Sequence, residues 1–397
     1  MSIEELRFLV VEDHSFQRWV LGNLLESLGA KHVFSAADGQ AALSVLADMD
    51  PPVDVVITDL DMPGMDGMEF IRHLADNWRR VSLVVVSSLD PSLVASVGVM
   101  AKAYGVSLLG AIEKPATAKK LAAIIASHGN APHHPERAPV VFSPEEMAEG
   151  LREGQFEAFF QPKVEMQTMR ITGAEANARW RHPSKGLIGP ASFIRAFESN
   201  GLIAQLTSTI LADSLRQVAV WHRSGLEATV SVNLSLTSLS DVTLAERMLA
   251  PVQAAGVEPR HVIFEVTESV ATSEPGRVLE NLSRLRMKGF GLSIDDYGTG
   301  YSSMQRLARI PFTELKIDQS FVKSAPTDAS GRVMLESSLE TAGKLRIPAV
   351  AEGVETHAQW DLLRGLGCPL AQGYFIATPL EAGEFLDWVR NHRQSAP

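Results

Sequence analysis

Two aspartates stand side by side in "GLSIDDYGTGYSS" (Gly291–Ser303), at the end of an apolar run. At roughly 5 Å and an effective dielectric of about 20 they repel by about 3 kcal/mol. A fold accepts that cost when something positive sits between them. Other short apolar runs end the same way, in Glu175, Asn233, Glu265, Asp318 and Glu352, and Gln372 lies on the last. Strand side chains alternate faces. Glu265 therefore shares a face with Ile263 and Thr267, Asp295 with Ser293, and Asp318 with Lys316. Asp296 has the opposite parity and is expected just past the strand end, where the chain can turn it back. Singly, each acid reads equally well as a helix cap or an ion-pair partner. As a set facing one rim they require a divalent cation. Every candidate ligand is an oxygen, with no cysteine or histidine, which suits Mg²⁺ or Mn²⁺ and not zinc. There are enough acids for two ions bridged by Asp295 or Asp296. A two-metal site about 3.5–4 Å across suits in-line displacement at phosphorus.

The elements that must carry these groups begin near residue 143. "FEAFFQPKVE", "ITGAEANARW", "ATVSVNLS", "VIFEVTES", "GLSIDD", "TELKID", "IPAVAEG" and "LAQGYFI" read as strands, most of them separated by helical segments. That alternation over about 250 residues is the size of a TIM-like (β/α)8 barrel, whose functional groups gather at the carboxyl ends of the strands. The first two runs are joined through "MQTMR", too short for a helical crossover. They are expected to pair as an antiparallel hairpin, giving a modified barrel with an antiparallel first strand.

A second alternation fills the first 125 or so residues. "RFLVVED", "VDVVITDLDMP", "LVVVSSLD" and "SLLGAIEKP" are apolar runs, and "SFQRWVLGNLLESLG" has helical spacing with a glycine stop. Such runs separated by helices indicate a doubly wound, flavodoxin-like parallel sheet. Glu12, Asp13 and Asp59 would meet at one sheet edge, an acid cluster that again needs Mg²⁺. Lys114 can neutralise a phosphoryl group there, and Ser87 can hydrogen-bond to it.

Length and composition agree with two domains. The 397 residues are 45% hydrophobic, enough for substantial cores. The expected boundaries are 1–127 and 143–397, with 128–142 as a linker rich in Pro, Ala and His. His133 and His134 in that linker have no further ligands at zinc spacing, so a solvated segment is the better reading. A net charge of −11 argues against a DNA or general nucleic-acid binder. The single cysteine, Cys368, suits a reducing compartment. No apolar run reaches the roughly 20 residues of a membrane span. "MSIEELRFLVVEDH" does not read as a signal peptide, so a cytoplasmic protein is expected.

"AEANARWRHP", "SVNLS", "FEVTES", "IDDYGTGYSS", "LKID", "AEGVE" and "QGY" resemble, in order and spacing, the EAL-domain phosphodiesterases of bacterial cyclic di-GMP signalling. The resemblance implies hydrolysis of one phosphodiester of cyclic di-GMP to linear pGpG. It implies Glu175, Asn233, Glu265 and Asp295 as ligands of a first metal, with Asp296 and Asp318 on the side of a second. Lys316 is implied to orient the attacking water and offset developing charge, and Glu352 to act as a general base or to position the water. Gln161, Arg179 and Glu355 are implied to contact substrate, and Gln372 to steady the water shell. Glu268 is implied to anchor the "DDYGTGYSS" loop, whose Gly298 and Gly300 permit a switch of shape and which would couple metal occupancy to oligomerisation. Two departures stand out: Asn177 replaces the leucine of the name-giving tripeptide, and Tyr297 stands where phenylalanine is common. Arg195 also replaces a usual proline.

"VVED", "ITDLDMPGMDG", "VVVSS" and "IEKP" resemble the receiver domain of two-component response regulators, at the ends of its strands one, three, four and five. The resemblance makes Asp59 the phosphoacceptor and adds the backbone carbonyl of Asp61 to the metal site. Ala111 stands where receivers usually carry an aromatic switch residue. The expected partners are cyclic di-GMP, a sensor histidine kinase or phosphotransfer protein, and further copies of the chain as a dimer or tetramer. A sensor that binds cyclic di-GMP without cutting it, and a scaffold that sequesters a phosphotransfer partner, are the competing readings.

Overall fold

The computed structural model of the chain describes residues 3–78, 81–88, 96–98, 100–101, 104–126, 142–268, 275–298, 307 and 309–395. The chain forms two compact units, Met1–Arg137 and Ala138–Pro397. Most of the expected linker, with His133 and His134, lies outside the described residues. So do Gly300 and residues 299–306 of the loop after Asp296.

In the first unit, five parallel strands stand in the order β2-β1-β3-β4-β5. They are β1 (Arg7–Val11), β2 (His32–Ala36), β3 (Val55–Thr58), β4 (Ser82–Ser87) and β5 (Ser107–Glu113). This is the doubly wound, flavodoxin-like order. Phe8, Val10, Val55, Ile57, Val84 and Val86 fill one face of the sheet, and Leu9, Val11, Val56, Leu83 and Val85 the other. Two buried faces explain why these strands read as unbroken apolar runs. β2 is only partly buried and has no such run.

The second unit closes into a barrel. Its strands are β6 (Phe156–Glu165), β7 (Ile171–His182), β8 (Gly186–Ile188), β9 (Thr229–Asn233), β10 (Val262–Thr267), β11 (Gly291–Tyr297), β12 (Glu314–Ile317), β13 (Ala349–Ala351) and β14 (Leu370–Ala371). β6 pairs antiparallel with both β7 and β14 and so seals the ring; β7 and β9 to β14 pair parallel with their ring neighbours. β8 is an extra strand on the outer part of β7, not foreseen from sequence. Within the ring lies a buried polar layer: Lys163 Nζ contacts Glu314 at 2.9 and 3.1 Å and Ser231 Oγ at 2.7 Å. Outside it, Phe156, Trp180, Phe193 and Phe197 pack with ring centroids 4.7–6.1 Å apart.

Candidate functional site

Glu314, Lys316 and Asp318 alternate along β12 and just past it, and Ser231 and Asn233 do so on β9. In-register pairing sets Glu175 beside Ser231, Glu265 beside Asn233 and Asp295 beside Thr267. The acids expected at the strand ends therefore converge on one lysine. Lys316 Nζ lies 3.2 Å from Glu175 Oε2, 2.7 Å from Glu265 Oε2, 3.1 Å from Asp295 Oδ1 and 2.6 Å from Glu352 Oε1. Its side chain is 1% exposed. Asn233 Nδ2 donates to Glu175 Oε1 at 3.2 Å, and Gln372 Nε2 donates to Glu175 Oε2 at 2.5 Å and to Gln161 Oε1 at 3.1 Å.

Asp296 corrects one expectation. It does not lie past the strand; β11 runs on to Tyr297. The pairing register with β12 shifts between Ile294 and Tyr297, and Asp296 takes a left-handed φ of 53°. That bulge turns a residue of the wrong parity back toward its neighbours. Carboxylate oxygens of Asp295, Asp296 and Glu352 come within 4.8 Å of one another. Asp318 caps the helix Gln319–Ser324, accepting from Ser320 N at 2.9 Å and from the Ser320 hydroxyl. Its carboxylate lies near Asp296, whose protonated form it favours.

Burial pushes Glu265 up to about 8, with Glu175 and Asp295 adding to the rise and Lys316 opposing it. Burial also lifts Asp296 to about 6, helped by Asp295 and Asp318. Glu352 is raised well above the usual carboxylate range by burial, against the pull of Lys316. Glu175 goes the other way: burial is outweighed by Lys316 and Gln372, which hold it low. Burial disfavours the Lys316 ammonium, yet the surrounding carboxylates keep it firmly charged. The residues fit a hard cation. Among the described residues, Glu265 Oε1 is buried with no hydrogen bond, and Asp295 Oδ1 is buried with an ion pair but no hydrogen bond. Such spare oxygen lone pairs are what Mg²⁺ or Mn²⁺ takes up.

Glu268 sits just beyond β10, and its Oε2 accepts from Gly298 N at 2.8 Å. Gly298 has φ 99°, and a Cβ there would lie 2.5 Å from Phe321 Cε2, so only glycine fits that turn. Gln161 Nε2 donates to Ala377 O at 3.2 Å. The Arg179 guanidinium lies 5.5 Å above the Phe159 ring and donates to Ala178 O; among the described residues it forms no ion pair, though Tyr374 and Glu175 act on it electrostatically. Asn177 lies between Glu175 and Arg179 on the same strand face, and its buried Nδ2 has no hydrogen-bond partner among the described residues. Glu355 is paired with Lys323 at 2.9 Å. A cavity of about 390 Å³ opens over the cluster, and Gln319, Lys323 and Tyr374, which sequence reasoning missed, help to line it. Lys323 and Gln319 follow Asp318 within one helix, and Tyr374 completes "QGY", so proximity to the motifs was their only signal.

The first unit carries a smaller version of the same electrostatic arrangement. Glu12 follows β1, Asp59 follows β3 and Lys114 follows β5. Lys114 Nζ is 2.8 Å from Glu12 Oε2 and 2.6 Å from Asp59 Oδ2. Asp59 Oδ1 accepts from Leu60 N at 2.6 Å and Asp61 N at 3.3 Å. Oxygens of Glu12, Asp13 and Asp59 lie within 4.8 Å of one another. Burial raises Glu12 above its ordinary range. Ser87, buried, ends β4 beside Lys114, whose N–H donates to its carbonyl at 3.0 Å. Asp61 is exposed, and so is Ala111 on β5.

The chain thus joins a flavodoxin-like sheet with a lysine-bridged aspartate to a hairpin-closed barrel with a cluster of buried acids. The response regulator receiver domain family matches residues 8–126, and the EAL domain family matches residues 145–379. Cyclic di-GMP phosphodiesterase RocR of Pseudomonas aeruginosa is 35% identical over 390 residues, which cover 97% of this chain and 99% of RocR. The bifunctional diguanylate cyclase/cyclic di-GMP phosphodiesterase MucR of the same organism is 36% identical over 242 residues, 61% of this chain but 35% of MucR. The solved MucR phosphodiesterase in complex with c-di-GMP superposes with a TM-score of 0.59 at 36% identity, covering 61% of this chain and 98% of that one. The chain belongs to the EAL family, in its receiver-linked form.

Proposed function

We propose that this chain is a response regulator whose barrel hydrolyses cyclic di-GMP to linear pGpG and whose receiver tunes that activity through phosphorylation of Asp59. The observation that carries the reading is the convergence of Glu175, Glu265, Asp295 and Glu352 on Lys316, with Asp296 and Asp318 alongside. Glu175, Asn233, Glu265 and Asp295 would hold one Mg²⁺ or Mn²⁺, and Asp296 and Asp318 a second. Bound there, the ions would activate water and offset charge developing on phosphorus. Glu352, raised by its burial, takes the proton of the attacking water. Lys316 keeps the carboxylates in register and its ammonium faces the developing negative charge. Glu268 holds the start of the loop that follows Asp296. Gln161, Arg179 and Glu355 are assigned to substrate, and Gln372 to positioning Glu175.

In the receiver, Glu12, Asp13 and the Asp61 carbonyl would hold Mg²⁺. Asp59 would take a phosphoryl group from a histidine kinase or phosphotransfer protein, with Lys114 and Ser87 receiving its oxygens. We take 128–142 as the linker between domains 1–127 and 143–397, and the chain as a cytoplasmic homo-oligomer. No helix among the described residues is long and apolar enough to cross a membrane. The purified chain incubated with cyclic di-GMP and Mg²⁺ should yield pGpG, and EDTA should stop it. Intact cyclic di-GMP with metal present refutes the reading.

A further inference from the structure

The cavity over the acid cluster is lined by three carboxylates, Glu175, Glu352 and Glu355, and among the described residues by one cation, Lys323. If the site takes a cyclic dinucleotide, as proposed above, this lining poses a problem. The substrate carries two phosphodiesters, each with a full negative charge. One would meet the metal centre. The other remains at a mouth whose charged lining is mainly carboxylate, with the Arg179 guanidinium near Glu175 and Tyr374 but outside that lining.

Lys323 is placed to answer it. It lies on the helix Gln319–Ser324, which starts directly after Asp318, so its root is fixed relative to the acid cluster. Its ammonium is 2.9 Å from Glu355, which comes from the segment after β13, and both side chains are 42% exposed. An ion pair this exposed is screened by water and adds little to stability, so exchanging it is cheap. Both partners have a better match in a guanine dinucleotide. An ammonium is a compact point charge suited to phosphate. A carboxylate accepts in a bidentate manner from two adjacent N–H donors, which guanine offers on its pairing edge and adenine does not.

We propose that Lys323 binds the phosphate that is not cleaved, trading Glu355 for it while Glu355 turns to a guanine edge. Lys323 is thus a substrate-binding residue, and the Lys323–Glu355 pair keeps the mouth electrically matched when substrate is absent.

The test uses the full chain and two substrates in Mn²⁺: cyclic di-GMP, and bis(p-nitrophenyl) phosphate, a diester with one phosphate and no guanine. For K323M, the KM for cyclic di-GMP should rise roughly ten- to hundredfold, the scale of a lost charge-assisted contact, with kcat falling less than KM rises. The loss on bis(p-nitrophenyl) phosphate should stay under about twofold. K323R should recover most of the affinity. An unchanged KM for cyclic di-GMP overturns the assignment, and so does an equal loss on both substrates, which would mark Lys323 as structural. If the wild-type chain cleaves neither diester, the hydrolytic reading fails instead. Calorimetric binding of cyclic di-GMP to wild type and K323M then decides the role of Lys323, equal affinities counting against it.

Discussion

Replacing Lys316 by methionine removes a cation that pairs with four carboxylates. The structure sets the scale of the loss. Lys316 Nζ lies 2.6–3.2 Å from Glu175, Glu265, Asp295 and Glu352, and its side chain is 1% exposed. Water cannot take over its role. Breaking a buried pair by removing one partner costs about 3–5 kcal/mol. At about 2–4 °C per kcal/mol for a unit of this size, metal-free Lys316→Met should melt roughly 6–20 °C below wild type at pH 8. Acidification should shrink the gap, because the orphaned acids can protonate. Glu265 sets the sign. Its folded value of about 8 lies above its ordinary 4.5, so its contribution to stability is full below about 4.5 and is lost as pH rises through about 8. That rise is worth roughly 5 kcal/mol at most. Metal-free wild type should therefore lose stability between these values, and the variant more steeply. In wild type, Mg²⁺ must compete with the ammonium for the same oxygens, so Mg²⁺ should raise the melting temperature of Lys316→Met more than that of wild type. Scanning calorimetry in EDTA and in Mg²⁺, at pH 5 and pH 8, reads all of this. An unchanged melting temperature in EDTA at pH 8, or a deficit that does not shrink at pH 5, refutes the view of Lys316 as the counter-ion of these carboxylates.

Three further outcomes follow from the same geometry. Glu268→Ala leaves Gly298 N–H without its 2.8 Å acceptor and should weaken Mg²⁺ affinity and activity together, although Glu268 is not a ligand; wild-type Mg²⁺ dependence would make the contact merely structural. Ca²⁺, with longer bonds and looser geometry than Mg²⁺, should bind the acid cluster but support little turnover, and equal rates in the two ions would count against a two-metal site. Asp59→Asn should abolish any change in phosphodiesterase rate on adding acetyl phosphate, and a surviving response in a radiolabel-negative protein would place the signal elsewhere.

The barrel and its acids were readable from sequence because each strand carries its own evidence. An apolar run ending in a carboxylate is unusual, and parity along β12 puts Lys316 and Asp318 on one face. The hairpin of β6 and β7 followed from the shortness of "MQTMR". Other features were hidden for physical reasons. β2 is only partly buried, so it lacks an apolar run, and β8 is three residues long. Lys163 and Glu314 look like ordinary charged residues until the ring closes and brings them together. The parity of Glu314 with Lys316 was the one available sign. The bulge at Asp296 could not be read, since periodicity fixes which face a residue takes but not where the backbone breaks its own rule. Glu355 was assigned by resemblance, but its partner Lys323 comes from a different element and carries no motif.

The two units solve one electrostatic problem in two ways, and the difference bears on function. Each gathers acids at strand ends and answers them with a lysine on or just past a neighbouring strand. Lys114 follows β5, is 15% exposed and touches two acids. If Asp59 takes a phosphoryl group, as proposed above, Lys114 can follow it and leave only Glu12 to be satisfied by water or Mg²⁺. Lys316 lies within β12, is 1% exposed and touches four. It cannot leave without stranding all of them, so it serves as a fixed part of the centre. Arginine in its place would be too long and too planar for four convergent oxygens at 2.6–3.2 Å. A lysine held by fewer partners suits the covalent modification proposed for Asp59. An immobile one suits a site that must present the same arrangement of oxygens at every turnover.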